Sequence, residues 1–222
     1  EADLDVITSV MNMSRRETLF HRDRTAAEVN TETFEDPDFR REGSWRVLDD
    51  GRPLAYAIAV VEESRIAAGL DDGIVEIDVI PEERGQGIED ELLRRALEHL
   101  SSREVGHATA RIEETEGWKS ALHLRYGFKS VRHFYRLAWH GGKALPARPM
   151  PADVAVTHKL LGDMSDDEIA TFNEILNDTF SGHFEFAPQP LSRWIRWRDA
   201  CDDPLMIYLA RRSSEVIAFC AA

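Results

Sequence analysis

The sequence has little cysteine. Cys201 and Cys220 are the only two in 222 residues, and two cysteines do not make a disulfide framework. Neither cysteine has a CxxC or histidine spacing that indicates zinc, and the histidines are scattered. We therefore expect no metal site, and buried free thiols in a cytoplasmic protein.

Long hydrophobic runs are also missing. No apolar stretch reaches the roughly 18 residues that a membrane helix needs, and no signal peptide is visible. The chain begins with Glu1 rather than Met. This start predicts a fragment or a trimmed chain.

Positive charge is scarce relative to negative charge, and the formal net charge is -14. Such a chain repels nucleic acid and anionic membrane surfaces, and no compact basic patch offsets the repulsion. Residues 193–198 combine two tryptophans with three arginines, a mixture that can bind nucleic acid. In so acidic a chain, an amphipathic helix that packs its tryptophans on a sheet is the better interpretation. We expect neither a nucleic-acid nor a membrane partner.

The apolar periodicity predicts an order of helices and strands. Residues 2–20 form a helix, and a capping-box spacing at Thr25 and Glu28 begins a second one. Residues 44–63 form a hairpin around Asp50-Gly51. Further along the chain the pattern predicts strand 73–80, helix 88–102, strand 107–112, helix 116–128 and strand 129–139.

Glycine and proline cluster once, at residues 141–152, and this composition is typical of a linker. After it the pattern restarts with strand 154–161, helix 166–180 behind a capping box at Ser165 and Glu168, helix 190–200, and a strand-turn-strand unit at 205–222. The restart indicates an internal repeat. It predicts a domain over 1–140 that lacks its first strand, a linker at 141–152, and the N-terminal half of a second domain at 153–222.

A turn with glycines on either side of Gln86 joins the strand at 73–80 to the helix that begins at Ile88. The first amides of a helix lack internal partners and lie at the positive end of its dipole. Glycine removes the Cβ that would keep an anion at a distance. We expect bare amides at residues 84–88 that can hold a diphosphate. A simple tight turn is the alternative, whereas the three-glycine dinucleotide fingerprint is absent.

The segment from Val79 to Ile88, VIPEERGQGI, resembles the GNAT acyltransferase fingerprint V-x-P-x-x-R-G-x-G-[IV]. A helix that ends in Tyr126-Gly127-Phe128 resembles a second block of that superfamily. The resemblance covers residues 1–140 well, and 152–222 look like the first half of another domain of this kind. It implies a mixed α/β (α+β) fold with a mostly antiparallel sheet flanked by helices.

The resemblance also implies a chemistry, the transfer of an acyl group from acetyl-CoA or a longer acyl-CoA to an amine of a small molecule or peptide. A homodimer is compatible with it. The coenzyme diphosphate would lie on the turn, the pantetheine arm along the strand, and the Val79 amide would face the carbonyl oxygen. The implied cofactor-binding residues are Val79, Ile80, Arg84, Gly85, Gln86, Gly87, Ile88 and Glu89.

Four residues are candidates for proton transfer. Glu76 and Asp78 share one face of their strand by period-two alternation and could accept a proton from the amine. The alternative is that they face solvent or pair with arginines. His123 stands where the family often has a tyrosine acid, although a lone helix histidine is more often a surface or packing residue. Tyr126 is the other candidate acid and lies on another helix face.

Glu89 departs from the family pattern, which favours glycine or alanine at that position. At ~5 Å and an effective dielectric of ~20 to 80, each carboxylate–phosphate charge pair costs roughly 1 to 3 kcal/mol. Turning Glu89 toward solvent would lower this cost, and an acid in the first turn also stabilises the helix. Glu116 departs as well, at a position where the family favours asparagine. The alternative function is therefore a non-catalytic module with a decayed CoA site, which serves packing or recognition.

Overall fold

A computed structural model describes residues 2–19, 21–135, 142, 149–200 and 205–221. The helices and strands fall into two groups along the chain. The first group contains α1 (Ala2–Ser14), α2 (Ala26–Val29), β1 (Ser44–Asp49), β2 (Arg52–Val60), α3 (Glu63–Ala67), β3 (Asp72–Val79), α4 (Ile88–Ser102), β4 (His107–Thr109) and α5 (Gly117–Arg125). The second group contains β5 (Val154–Leu160), α6 (Asp166–Phe180), α7 (Leu191–Ala200), β6 (Met206–Arg212) and β7 (Glu215–Ala221).

Each group builds one sheet. The strand order is β1-β2-β3-β4 in the first sheet and β5-β6-β7 in the second. Neighbouring strands run antiparallel except β3 and β4, which run parallel. Because helices flank these sheets, the structure confirms the predicted mixed α/β fold with a mostly antiparallel sheet.

The central strand β2 separates two layers of the first core. Ala55, Ala57 and Ala59 pack in one cluster with the apolar face of α4. Leu54 and Tyr56 point to the opposite face, into a cluster with α1. Alternating side chains therefore fix which helix covers which face, and the small alanines let α4 approach the sheet closely.

Both predicted capping boxes are present. The Thr25 side chain accepts from the Glu28 amide while Glu28 reaches back to the Thr25 amide. Ser165 and Glu168 make the same reciprocal pair at the start of α6. Each box satisfies two backbone N–H groups that have no partner inside their helix.

The helix predicted over residues 2–20 is shorter than expected, because α1 ends at Ser14. The side chains of Ser14 and Arg15 both turn into the sheet and bond to Asp78. Beyond this point no apolar stripe continues toward residue 19, so nothing on the helix face holds a longer helix against the core.

Two predicted strands differ from the structure. The strand expected over 107–112 ends at Thr109, and residues 129–135 form no strand. A strand needs a neighbouring edge for its hydrogen bonds, and the short β4 offers only three residues. The remainder of the predicted strand, 136–139, and most of the predicted linker, 143–148, lie outside the described residues.

The two hairpins share an irregularity. The β1–β2 register shifts between Val47 and Leu48, and the β6–β7 register shifts between Ala210 and Arg211. In each hairpin the shift lies just before the turn. The structure thus places the same bulge at the same point of both predicted strand-turn-strand units.

The second group contacts the first through α7. Arg193 bonds Glu62 at 2.8 Å, and Arg196 bonds Asp36 at 3.1 Å. The carboxylates lie between α2 and α3 in the chain, so charged pairs join the two groups. The predicted amphipathic helix uses its arginines here and packs Trp194 and its neighbours in the core of the second sheet.

The expectation of buried thiols is wrong for Cys220, which is free and exposed. It lies on β7, an edge strand of the second sheet, opposite Tyr208 of β6, which is also exposed. Cys201 lies outside the described residues. Among the described helices, none combines the length and the apolar character needed to span a bilayer.

Candidate active site

An opening in the first sheet lies beside the second half of β3. The pairing of β3 with β4 ends at Ile74 and Thr109. The Ile80 amide donates to the Leu54 carbonyl of β2 at 2.9 Å. Because successive amides alternate in direction along a strand, the Val79 amide points away from β2, into this opening. We call the space between residues 75–79, the turn at 84–88 and the start of α5 the cleft.

The glycine turn has the expected backbone geometry. Gly85 and Gly87 have φ angles of +80° and +88°, and Gly87 is the N-cap of α4. These angles suit glycine, and a Cβ built on either residue would meet nothing within 4 Å. The main chain of the turn is therefore open toward an anion.

A side chain of the protein already occupies one amide of this turn. The Gly85 amide donates to Glu89 Oε1 at 2.7 Å. The Glu89 side chain does not face solvent, since the residue is only 6% exposed. Its second carboxylate oxygen, Oε2, is buried without a hydrogen-bond partner. The expectation of bare amides throughout 84–88 is thus wrong at Gly85, and also at Arg84, whose amide donates to the Pro81 carbonyl at 3.4 Å.

The Arg84 side chain turns inward instead of reaching into solvent. Its Nε donates to the Val79 carbonyl at 3.1 Å, and its Nη2 donates to the Ser14 carbonyl at 2.9 Å. The guanidinium also lies 4.8 Å from the centre of the Trp118 ring. Arg84 therefore connects α1, β3 and α5 across one end of the cleft.

Replacing Arg84 with methionine should lower the free energy of unfolding by about 2 kcal/mol. The change keeps much of the apolar stem but removes charge-assisted bonds to the carbonyls of two buried residues, Val79 and Ser14. Urea denaturation followed by tryptophan fluorescence measures the loss. Arg95→Met is the matched control, because Arg95 is half exposed and pairs with Glu91 on the outer side of α4. Equal losses in the two variants would contradict the connecting role of Arg84.

Asp78 is the centre of a buried charge cluster. It is fully buried and accepts from Arg15 Nη2 at 2.7 Å and from Ser14 Oγ at 3.0 Å. Lys119 Nζ lies 2.7 Å from Asp78 Oδ1, the oxygen that also accepts from Ser14, and 2.7 Å from Glu116. Burial would raise the pKa of the Asp78 carboxyl, but the charges and hydrogen bonds of Lys119 and Arg15 outweigh burial and lower it. These interactions keep Asp78 ionised, and both of its carboxylate oxygens already accept hydrogen bonds.

Glu76 is the more accessible of the two carboxylates. It accepts from Arg15 Nη2 at 2.7 Å and from the Tyr56 hydroxyl, and 43% of its side chain is exposed. Burial, and then the charges of Asp78 and Glu76, raise the pKa of Tyr56 well above its usual value. The structure confirms that Glu76 and Asp78 share one face of β3. Both carboxylates also pair with an arginine, Arg15, as the alternative interpretation predicted.

His123 lies in the core behind the cleft. Its Nδ1 donates to the Lys119 carbonyl at 2.8 Å, its Nε2 is buried without a partner, and its ring meets Phe128 edge-on at 4.8 Å. Burial, followed by the charge of Lys119, lowers the pKa of His123. A neutral, packed imidazole is a poor proton donor at neutral pH.

Tyr126 directly follows α5 in the chain. Its partly exposed side chain contacts the first turn of α4. Its hydroxyl donates to the Asp90 carbonyl at 3.1 Å. Burial and the nearby Asp90 carboxylate raise the pKa of this phenol. The structure thus brings Tyr126 to the first turn of α4, while Glu76 and Asp78 lie around Arg15.

Sequence reasoning missed three residues of this site, Ser14, Arg15 and Lys119. One signal was available for Lys119, which lies beside Trp118 and one turn before Leu122 and His123 on α5. A lysine on the buried face of a helix needs a carboxylate partner. Ser14 and Arg15 gave no comparable signal. Across the described ranges, no group of histidine, cysteine or acidic side chains could hold a metal ion.

Residues 8–128 match the model of the acetyltransferase (GNAT) family. The chain belongs to the GNAT family. No curated protein sequence matches this GNAT protein. Among solved structures, a GCN5-related N-acetyltransferase from Sphaerobacter thermophilus aligns with a TM-score of 0.64 and 16% identity, over 99% of this chain and 68% of that one. An N-acetyltransferase from Staphylococcus aureus Mu50 aligns with a TM-score of 0.50 and 22% identity, over 59% and 79%. At these identities the likeness shows a shared fold.

Proposed function

We propose that this GNAT protein transfers an acetyl or other acyl group from acyl-CoA to an amine of a small molecule or peptide. The observation that carries the proposal is the cleft. Beyond Ile74, no strand in the described part of the chain pairs with this edge of β3, which leads into a turn with two glycines of positive φ where a long helix begins. The edge offers main-chain hydrogen bonds to an extended ligand, and the turn offers amides to an anion.

In this proposal the main chain does most of the binding. The amides of Gln86, Gly87 and Ile88 would hold the diphosphate, together with Gly85 once Glu89 has left it. The bound coenzyme supplies an activated thioester. The Val79 amide points into the cleft, where it could stabilise negative charge on a carbonyl oxygen. Glu76 is exposed enough to accept the proton of an incoming amine, directly or through water.

Substitution of Glu76 tests whether it accepts the proton of the amine. Glu76→Gln should lower the turnover number by about 100-fold, because a general base contributes at least that factor, while the affinity for acetyl-CoA stays unchanged. Calorimetric titration with acetyl-CoA gives the affinity, and mass spectrometry of a panel of amines gives the transfer rate. Glu98→Gln, which removes an exposed carboxylate that pairs with Arg94 on the outer surface of α4, is the control. The proposal fails if the wild-type chain shows neither binding heat nor thermal stabilisation by acetyl-CoA.

A second candidate function rests on the side chains in the cleft. Glu89 occupies the Gly85 amide, Arg84 occupies the Val79 carbonyl, and Lys119 joins Asp78 to α5. Together they favour a non-catalytic GNAT-type module that serves packing or recognition. In that case neither the wild-type chain nor Glu89 variants should transfer an acyl group to any amine tested.

We also propose that the chain is organised as two related units, 1–140 and 153–222, joined by the segment 141–152. Supporting observations are the shared position of the hairpin bulges and the separate core of the second sheet. The two hydrophobic clusters on either face of the first sheet consist of residues that precede the joining segment. The second unit would thus repeat the beginning of the GNAT fold.

A further inference from the structure

A carboxylate of the protein itself, that of Glu89, lies on the glycine turn. Glu89 Oε1 lies 2.7 Å from the Gly85 nitrogen, and the carboxylate is almost fully buried. Its Oε2 is buried and makes no hydrogen bond. A buried carboxylate oxygen without a donor is unfavourable. The turn and the helix start therefore attract negative charge strongly enough to hold this carboxylate in place.

The other two acids of the same helical turn behave differently. Asp90 binds the Arg125 guanidinium through both oxygens, each at 2.9 Å. Glu91 pairs with Arg94 and Arg95 on the outer surface. All three acids complement the helix dipole, yet only Glu89 reaches back to the turn. Stabilisation of the helix alone does not require that contact.

A diphosphate on this turn needs the same amide. While Glu89 bonds Gly85, that donor is taken and a negative charge lies inside the anion site. Entry of a phosphate group therefore requires the Glu89 side chain to rotate out. The measured affinity then falls with the fraction of molecules in which Glu89 has left.

We propose that Glu89 is an intramolecular competitor for the diphosphate of acyl-CoA and holds this turn in a closed state. The inference rests on the proposed function, because it assigns a regulation to the same site. Gly85 and Gly87 have positive φ angles, and a Cβ built on either residue would meet no atom within 4 Å, so Glu89 is the side chain that has to leave the Gly85 amide.

Four proteins test the competition: the full wild-type chain, Glu89→Ala, Glu89→Gln and Asp90→Asn. Acetyl-CoA is titrated calorimetrically into each, after circular dichroism has confirmed that the variants fold. Glu89→Ala should bind at least tenfold more tightly than wild type. Glu89→Gln should gain less, because its amide oxygen can still accept from Gly85. Asp90→Asn removes the same charge from the same turn and should change the affinity by less than about threefold.

Two results overturn the competition. Equal gains in Glu89→Ala and Asp90→Asn would mean that only the distant charge matters. A Glu89→Ala chain that binds no more tightly than wild type would mean that the carboxylate does not obstruct the turn. Tight binding by Glu89→Ala with no acyl transfer by any variant would contradict the proposed function but would still support the competition between Glu89 and the diphosphate.

A second measurement does not depend on coenzyme binding. The Gly85 amide should show a downfield proton shift and slow hydrogen exchange in the wild-type chain, since it donates to a buried carboxylate. Glu89→Ala should lose both features, whereas Asp90→Asn should keep them. A Gly85 amide that is unchanged in Glu89→Ala would show that the contact is absent in solution and would overturn the inference.

Discussion

Replacing Asp78 with alanine should lower the free energy of unfolding by about 3 to 5 kcal/mol, which makes Asp78 a structural centre as well as a candidate base. The variant removes the carboxylate that Arg15 and Lys119 share and leaves a cavity, so that each cation keeps one partner, Glu76 for Arg15 and Glu116 for Lys119. Breaking a buried network of charged pairs and leaving a cavity is among the largest costs that a single substitution can impose. Urea denaturation followed by circular dichroism measures the loss.

Glu76→Ala is the matched control for this experiment. Glu76 shares Arg15 with Asp78 but is much more exposed, so its pair is screened by water and should be worth at most about 1 kcal/mol. If the two variants lost the same stability, the buried cluster would not be the source of the Asp78 effect.

The Asp78 contribution should depend on pH with a definite sign. The pKa of Asp78 is lower in the folded protein than its ordinary value of about 3.9. The stabilisation is therefore fully present above about pH 4 and is lost as the pH falls through the lower, folded-state pKa. The stability difference between wild type and Asp78→Asn should accordingly shrink on acidification below pH 4. A difference that stays constant from pH 7 to pH 2 would contradict the assignment.

Phe172→Ala should destabilise the second unit by about 3 to 5 kcal/mol. The ring is fully buried on α6 and meets Trp194 edge-on at 5.0 Å and Phe219 at 5.3 Å. Truncation removes the transfer free energy of a large side chain and leaves a cavity between helix and sheet. Because this core is separate from those of the first sheet, we expect an early unfolding transition for the second unit alone.

Tryptophan fluorescence and far-ultraviolet circular dichroism during urea denaturation together resolve that transition. Phe180→Ala, at the exposed end of the same helix, is the control and should change stability by less than about 1 kcal/mol. A single transition that shifts as a whole in Phe172→Ala would contradict the proposed division of the chain into two units.

Features fixed by neighbours in the chain were predictable from the sequence. Two glycines in the turn, the bounds 88–102 of α4 and the capping boxes at Thr25 and Ser165 all match the structure. Each depends on interactions within about four residues. Period-two alternation likewise placed Glu76 and Asp78 on one face, because the geometry of a strand leaves no other arrangement.

Contacts between distant segments were not predictable in the same way. Arg15 and Asp78 are 63 residues apart, and no local pattern indicates that α1 would end where it can deliver an arginine to β3. The strand expected at 107–112 was confirmed only for 107–109, and the one expected at 129–139 was wrong over 129–135, for a related reason. Their residues have strand-like alternation, but alternation does not reveal whether folding brings another segment within hydrogen-bonding reach.

By itself, then, the sequence determined the turn, the helix that follows it and the family to which they point, since these features follow from backbone sterics and short-range hydrogen bonds. The tertiary structure alone decided what fills the cleft: Glu89 on the Gly85 amide, Arg84 on the Val79 carbonyl and Lys119 on Asp78. A side chain chooses among rotamers according to the partners that folding brings within reach, and those partners come from elements that are remote in the chain.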